Sequence, residues 1–257
     1  MRELVSVLLA AVLAACTGMP PADAVRELAP AGTLRAAINY GNPILANKQA
    51  DGTPAGVSVD LARELAQRLG VKLEIRTYTS ADKVTDALKA GEWDIAFYAL
   101  DPVRATDTGF TKPYVVIEGA YAVPQASPIH GNEQVDRDGI RVAVGRGSAY
   151  DLFLTRELKH ASLMRAPTSP AVVDTLVAEK IEVAAGVRQQ LEADARRLPG
   201  VRLLPGRFML IQQAMAMPKG REAGLAYLSA FVEEMKASGF VTAALQRHRI
   251  EGVTVAP

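Results

Sequence analysis

Between residues 33 and 198 the sequence twice runs through one alternation, a short β-like run followed by a stretch of helical period, and this doubling narrows the possible folds more than any other feature. In the first series TLRAAI reads as extended and VDLARELAQRLG as a helix with Leu61, Leu65 and Leu69 on one face. VKLEIRTY is extended again, DKVTDALKAG is a short helix ended by Gly91, and DIAFYA is an apolar run suited to a buried parallel strand. The second series takes IRVAV, SLMRA and IEVAAGV as strands, with AYDLFLTRELK, PAVVDTLVAEK and RQQLEADARRL as the helices between and after them. Ser169 is the expected N-cap of the helix at 170–180, with Pro170 in its first turn, where a missing N–H costs nothing. Parallel strands joined through helices build α/β units, so two such units are expected in tandem. Two long β runs, YVVIEGAYAV and RFMLIQQAMAM, separate and follow the second series and are candidates to cross between lobes. The stretch GREAGLAYLSAFVEEMKASG places Leu225, Leu228, Phe231, Val232 and Met235 at helical spacing and is expected to dock back on the first lobe.

The ends and the charge balance restrict function. MRELVSVLLAAVLAA, one basic residue and then an apolar run too short to anchor across a bilayer, has the shape of an export signal. It closes on Leu13, Ala14, Ala15 and Cys16, the only cysteine of the chain. Small residues before a cysteine resemble a bacterial lipoprotein signal, in which Cys16 is acylated; the other reading is an ordinary signal cut after Ala22-Asp23-Ala24, with Cys16 discarded. Either way no disulfide is needed. Residues 1–16 are therefore read as the signal, and 17–30, TGMPPADAVRELAP, as a linker. Twenty-nine basic residues against twenty-eight acidic ones are interspersed, which argues against nucleic acid as a partner. His130, His160 and His248 are scattered without metal-ligand spacing, no Ser/His/Asp triad is recognisable, and no cofactor or metal is expected.

The order and spacing of TLRAAI with NYGNP, ADGTPAGVSVDLARELAQRLG, LKAGEWDIA, RATDTGFTKPY, VAVGRGSAY, PKG and KASGF resemble the family 3 solute-binding proteins of bacterial ABC importers. The resemblance implies an α/β, two-lobed periplasmic-binding-protein-like fold, with lobe 1 at 31–121, lobe 2 at 122–212, and 213–257 returning to lobe 1. Two crossing strands form the hinge, and ligand is trapped as the lobes close. It implies a small carboxylate-bearing ligand, delivery to an ABC permease, a periplasmic or cell-surface location, and a monomer whose membrane contact is limited to the lipid anchor.

Site residues follow from the same resemblance. Arg104, six residues before Phe110, matches the arginine that pairs with a ligand carboxylate, a role suited to a planar guanidinium. Gly147 and Ser148 match the turn that grips the carboxylate from the second lobe, although Ser148 could equally cap its own helix. Asn39, Tyr40 and Asn42 follow the first strand, and Tyr98 and Asp101 precede Arg104, where relatives line the pocket. Asp101 could orient Arg104, meet the ligand, or form an Asx turn before Pro102. Relatives that bind α-amino acids usually end the strand matching IEVAAGV with an aspartate for the ammonium, where this chain has Gly186 and Val187. The ligand is then not an ordinary α-amino acid, or Glu118 or Asp101 replaces that acid; Arg188 points instead to a second acidic group on the ligand or simply caps a helix surface. Gln212 and Gln213 in the second crossing strand could reach the cleft, Gln213 being the choice. Two alternatives stand beside capture and transport: a periplasmic enzyme on this fold, such as a cyclohexadienyl dehydratase with Glu118 or Asp101 as proton donor, and a ligand-sensing partner of a receptor.

Overall fold

The computed structural model describes residues 19–257, so the export segment and Cys16 lie outside the described residues. The elements run α1 (Ala22–Leu28), β1 (Thr33–Asn39), β2 (Asn47–Lys48), β3 (Pro54–Ala55), α2 (Val57–Leu69), β4 (Lys72–Tyr78), α3 (Ala81–Lys89), β5 (Ile95–Ala99) and β6 (Thr108–Pro124). They continue as β7 (Arg141–Gly145), α4 (Ala149–Glu157), β8 (Ser162–Ala166), α5 (Val172–Ala178), β9 (Val183–Val187), α6 (Arg188–Arg197), β10 (Val201–Leu203), β11 (Met209–Pro218), α7 (Glu222–Ala237), α8 (Phe240–Arg247) and β12 (Thr254–Val255).

The main sheet has the strand order β4-β1-β5-β11-β6-β9-β7-β8, with β10 and β12 also pairing to β6. On one side β1 is parallel to β4 and β5; on the other β7 is parallel to β8 and β9. Between them β11 and β6 are antiparallel, β11 also pairing with β5 and β6 with β9. The two long runs are thus the seam between two parallel α/β units, and the mixed α/β architecture matches the expected two-lobed fold. The strand β6 is long enough to serve both: its stretch from Thr108 to Gly119 pairs with β11 and its stretch from Gly119 to Ala122 with β9.

Local sequence explains the elements. Leu61 and Leu65 are fully buried on one face of α2, and Gly70, in the left-handed region, ends that helix with its N–H on the Ala66 and Gln67 carbonyls. All five residues of β5 are buried, as an apolar run covered on both faces requires. Leu228, Phe231, Val232 and Met235 of α7 are buried, while Leu225 is only partly so. Among the described residues, no helix is long and apolar enough to cross a membrane.

Two expectations are corrected. The segment read as a linker at 17–30 contains α1, whose Ala24 and Leu28 are buried, and which packs on α7. The Glu27 carboxylate accepts from the Gly224 N–H at 2.7 Å, and Arg221 donates to the Glu27 carbonyl at 3.0 Å. A seven-residue helix makes barely two turns, too few to display a period, and its apolar partners lie at the far end of the chain. Ser169 is not the N-cap of α5. Thr168 precedes a single 3₁₀ turn, Ser169–Ala171, and α5 begins only at Val172.

Candidate functional site

Loops following the carboxyl ends of β1, β5 and β7, together with the last residue of β9, meet across the seam and line a compact cavity of about 30 Å³. By that measure it has room for roughly two or three waters. Crevices at strand carboxyl ends are where open α/β sheets bind ligands, because loops from several strands converge there. One wall carries Asn39, Gly41, Asn42, Ala81, Tyr98 and Arg104; the other carries Ser148, Tyr150, Ser169 and Val187; Ile211 and Gln213 of β11 form the floor between them.

Arg104 dominates the electrostatics. It is 3% exposed, donates to the Ala99 carbonyl at 2.9 Å and, across the seam, to the Gly147 carbonyl at 2.7 Å. Its guanidinium carbon stands 4.7 Å from the centre of the Tyr98 ring, a cation–π contact. Burial pushes the Arg104 pKa down from its ordinary value, and Tyr98, Asp101 and Asp82 oppose that shift. No carboxylate makes a salt bridge with it among the described residues, and a guanidinium with two N–H groups on carbonyls keeps three for another acceptor. Tyr98, its own pKa raised by burial, shares a hydrogen bond of 3.1 Å with Thr108.

The second wall is a strand-to-helix turn. Gly147 has φ +64°, and a Cβ there would come within 2.6 Å of the Asp82 Cβ on the opposite lobe, so glycine allows both the turn and the close approach of the walls. Asp151 holds the turn, accepting from the Gly147 N–H at 2.9 Å while Arg165 donates to its carboxylate at 3.0 Å. Ser148 caps α4, its Oγ accepting from the Asp151 N–H at 3.0 Å, and it also faces the cavity, so its two suggested roles coexist. Tyr150 is buried with its hydroxyl among Ser169, Ser148 and the Gly145 backbone, and burial raises its pKa.

Of the residues singled out from sequence, Asn39, Asn42, Tyr98, Arg104, Ser148 and Gln213 come together around this cavity. The period of the strand separates the two glutamines, Gln213 buried on the cavity side and Gln212 exposed. Gly147 touches the site through its carbonyl alone. Four others lie off the cavity wall. Tyr40 packs against the hydrophobic core. Asp101 forms the Asx turn, accepting from the Val103 N–H at 2.8 Å, and bridges the lobes through Arg156 at 3.0 Å, so it neither pairs with Arg104 nor faces the cavity. Glu118 is engaged by Arg188 at 2.7 Å and Arg207 at 3.0 Å, and Arg188 also donates to the Gly206 carbonyl. Glu118 and Arg188 therefore satisfy each other beside the hinge, off the cavity wall. Tyr150, Ser169 and Ile211 were missed. Tyr150 alone carried a signal, since it stands two residues past Ser148 in the first turn of a helix that follows a β-strand.

Among the described residues, no group of three or more His, Cys, Asp or Glu is placed to hold a metal ion. The chain matches the model of the bacterial extracellular solute-binding proteins, family 3, over residues 34–249. No curated protein matches it by sequence. Similar solved structures include a solute receptor for L-cysteine of Neisseria gonorrhoeae, 22% identical over 90% of this chain and 99% of that one with a TM-score of 0.78. A mutant of ArgBP from T. maritima is 21% identical over 89% and 100% of the two chains, with a TM-score of 0.76. AncCDT-1, an ancestral amino acid-binding protein and precursor of cyclohexadienyl dehydratase, is 22% identical over 87% and 98%, with a TM-score of 0.73. At these identities the likeness establishes the shared fold.

Proposed function

Because the chain belongs to the bacterial extracellular solute-binding proteins of family 3, we propose that it captures a small carboxylate-bearing solute between its lobes and hands it to an ABC permease. The observation that carries this reading is Arg104, buried in the cleft with carbonyl partners only and with donors to spare. A carboxylate brought to it receives charge-assisted hydrogen bonds from a guanidinium that is itself almost fully buried. Ser148 and the start of α4 face it from the second lobe, so a bound solute touches both walls and binds the closed arrangement better than the open one. We place the division near 31–121 and 122–212 with a return at 213–257, and read the protein as an exported monomer tethered through an acylated Cys16.

Capture is favoured over catalysis. The two acids considered as proton donors, Glu118 and Asp101, are each committed to arginines off the cavity wall. A thermal-shift screen of amino acids, hydroxy acids, keto acids and dicarboxylates tests the reading. At least one carboxylate is expected to raise the melting temperature of the parent and leave that of Arg104→Ala unmoved. Each ligand shift is read against the protein's own unliganded melt, because the substitution lifts an uncompensated buried charge but also strands the Ala99 and Gly147 carbonyls. Equal ligand shifts in parent and variant would overturn the assignment.

A further inference from the structure

Among the described residues, the cavity wall holds one cation and no acid. Arg104 is its only side chain charged at neutral pH; the other polar groups are amides and hydroxyls, and Val187 and Ile211 close the remainder. The acids nearest the turn and the seam are otherwise engaged, Asp101 with Arg156 and Asp151 with Arg165. Asp82 is not part of the wall; it lies against Gly147 with one buried carboxylate oxygen free of hydrogen bonds, and its charge is already set against that of Arg104. An ammonium drawn into this space would be a second buried cation beside the guanidinium, stripped of water and facing only neutral acceptors.

The wall does ask for a neutral donor. Asn42, 9% exposed and lining the cavity, has a buried Oδ1 that accepts no hydrogen bond. A buried acceptor left unpaired is costly, and a ligand O–H would satisfy it without bringing a charge. A keto oxygen, an acceptor itself, would not.

We infer that the solute is a compact carboxylate whose second polar group is a hydroxyl, a hydroxy acid, in preference to the amino acid of the same skeleton. This inference rests on the carboxylate-capture reading and sharpens it. The contribution of each side is separable, with Arg104 setting affinity for the carboxylate and Asn42 setting the preference for the hydroxyl. An acid introduced in place of Val187 would supply the missing counter-charge for an ammonium.

The test is calorimetric titration of the full mature chain with pairs matched in skeleton, lactate against alanine, glycerate against serine and 2-hydroxybutyrate against 2-aminobutyrate. At least one hydroxy acid should bind tenfold or more tightly than its amino partner. Asn42→Leu should bring that hydroxy acid to within about threefold of its deoxy analogue, and Val187→Asp should move the preference toward the amino acid. Should Val187→Asp fail to fold, Asp82→Asn gives an independent reading, because the hydroxy acid is expected to keep its lead there. Tighter binding of the amino partner in every pair that binds overturns the inference and leaves carboxylate capture standing. Failure of the parent to bind any member of any pair counts against capture itself.

Discussion

Arg104 and Arg188 both stand where the two lobes join, and both are held by hydrogen bonds, yet their partners differ in kind. Arg188 reaches a carboxylate, Glu118, which Arg207 also engages, and the cluster keeps partial contact with water. Arg104 is buried against carbonyl dipoles and the face of Tyr98. In the first case the charge is spent, and a further anion would have to displace a partner already in place. In the second it is only partly compensated, so the site retains an affinity for anions that the fold itself does not consume. Burial alone therefore does not distinguish an arginine with donors to spare from one already paired; the identity of its acceptors does.

Replacing each arginine by lysine sharpens the contrast most. Lysine keeps the charge but loses the planar fork. Arg104→Lys should weaken carboxylate binding roughly ten- to hundredfold, the ~1.5–3 kcal/mol of one hydrogen bond to a charged group. Arg188→Lys should leave affinity within about threefold, because its pair is partly exposed and such pairs contribute only ~0–1 kcal/mol. Isothermal titration of both variants against one carboxylate decides it, and comparable losses in the two would erase the distinction between the two arginines.

The sequence carried Arg104 but not its surroundings, for reasons visible in particular residues. Its place before Phe110 is a local pattern, as are the Leu61, Leu65 and Leu69 face of α2 and the unbroken apolar run of β5. The commitments of Glu118, Arg188 and Asp101 are not local. Glu118 meets a residue seventy positions away and Asp101 one fifty-five positions away, so nothing near either reports that it is already paired. Helix α1 was illegible for the same reason, since Leu28 has a hydrophobic partner only once α7 has folded against it. Ser169 misled because a hydroxyl before a proline suits both an N-cap and the 3₁₀ turn that here presents it to the cavity. What propensity and periodicity report are single elements; which charges remain free depends on pairings between elements.

Asp101 provides an intermediate case, a charge committed across the lobes. Its pairing with Arg156 joins the two walls, so under the proposed closure it would favour the closed arrangement. Asp101→Asn keeps the Asx turn at Val103 and removes the charge. Affinity should then fall about three- to fivefold, consistent with the ~1 kcal/mol upper range of a pair whose arginine remains over a third exposed. Small-angle scattering should report a larger radius of gyration for the unliganded variant than for the parent. An affinity loss as large as that of Arg104→Lys would instead make Asp101 a ligand contact.

The smallest effect concerns the other arm of the comparison, the hinge cluster, and its signature is a pH dependence. Arg188, with Arg207, holds the Glu118 carboxyl below its ordinary value near 4.5. A folded-state pKa below the unfolded one means that the stabilisation is fully present above the unfolded value and is lost as pH falls through the folded value. Glu118→Gln should therefore lower the melting temperature at neutral pH, by no more than the roughly 2–4 °C that 1 kcal/mol represents in a chain of this size. The difference between parent and variant should shrink as the solution is acidified below about pH 4.5 and then vanish. Carboxylate affinity at pH 7 should stay within threefold of the parent, because the charge removed was balancing Arg188 and Arg207 and not the ligand. A pH-independent loss of stability would detach Glu118 from its arginines, and a tenfold loss of affinity would return it to the binding site.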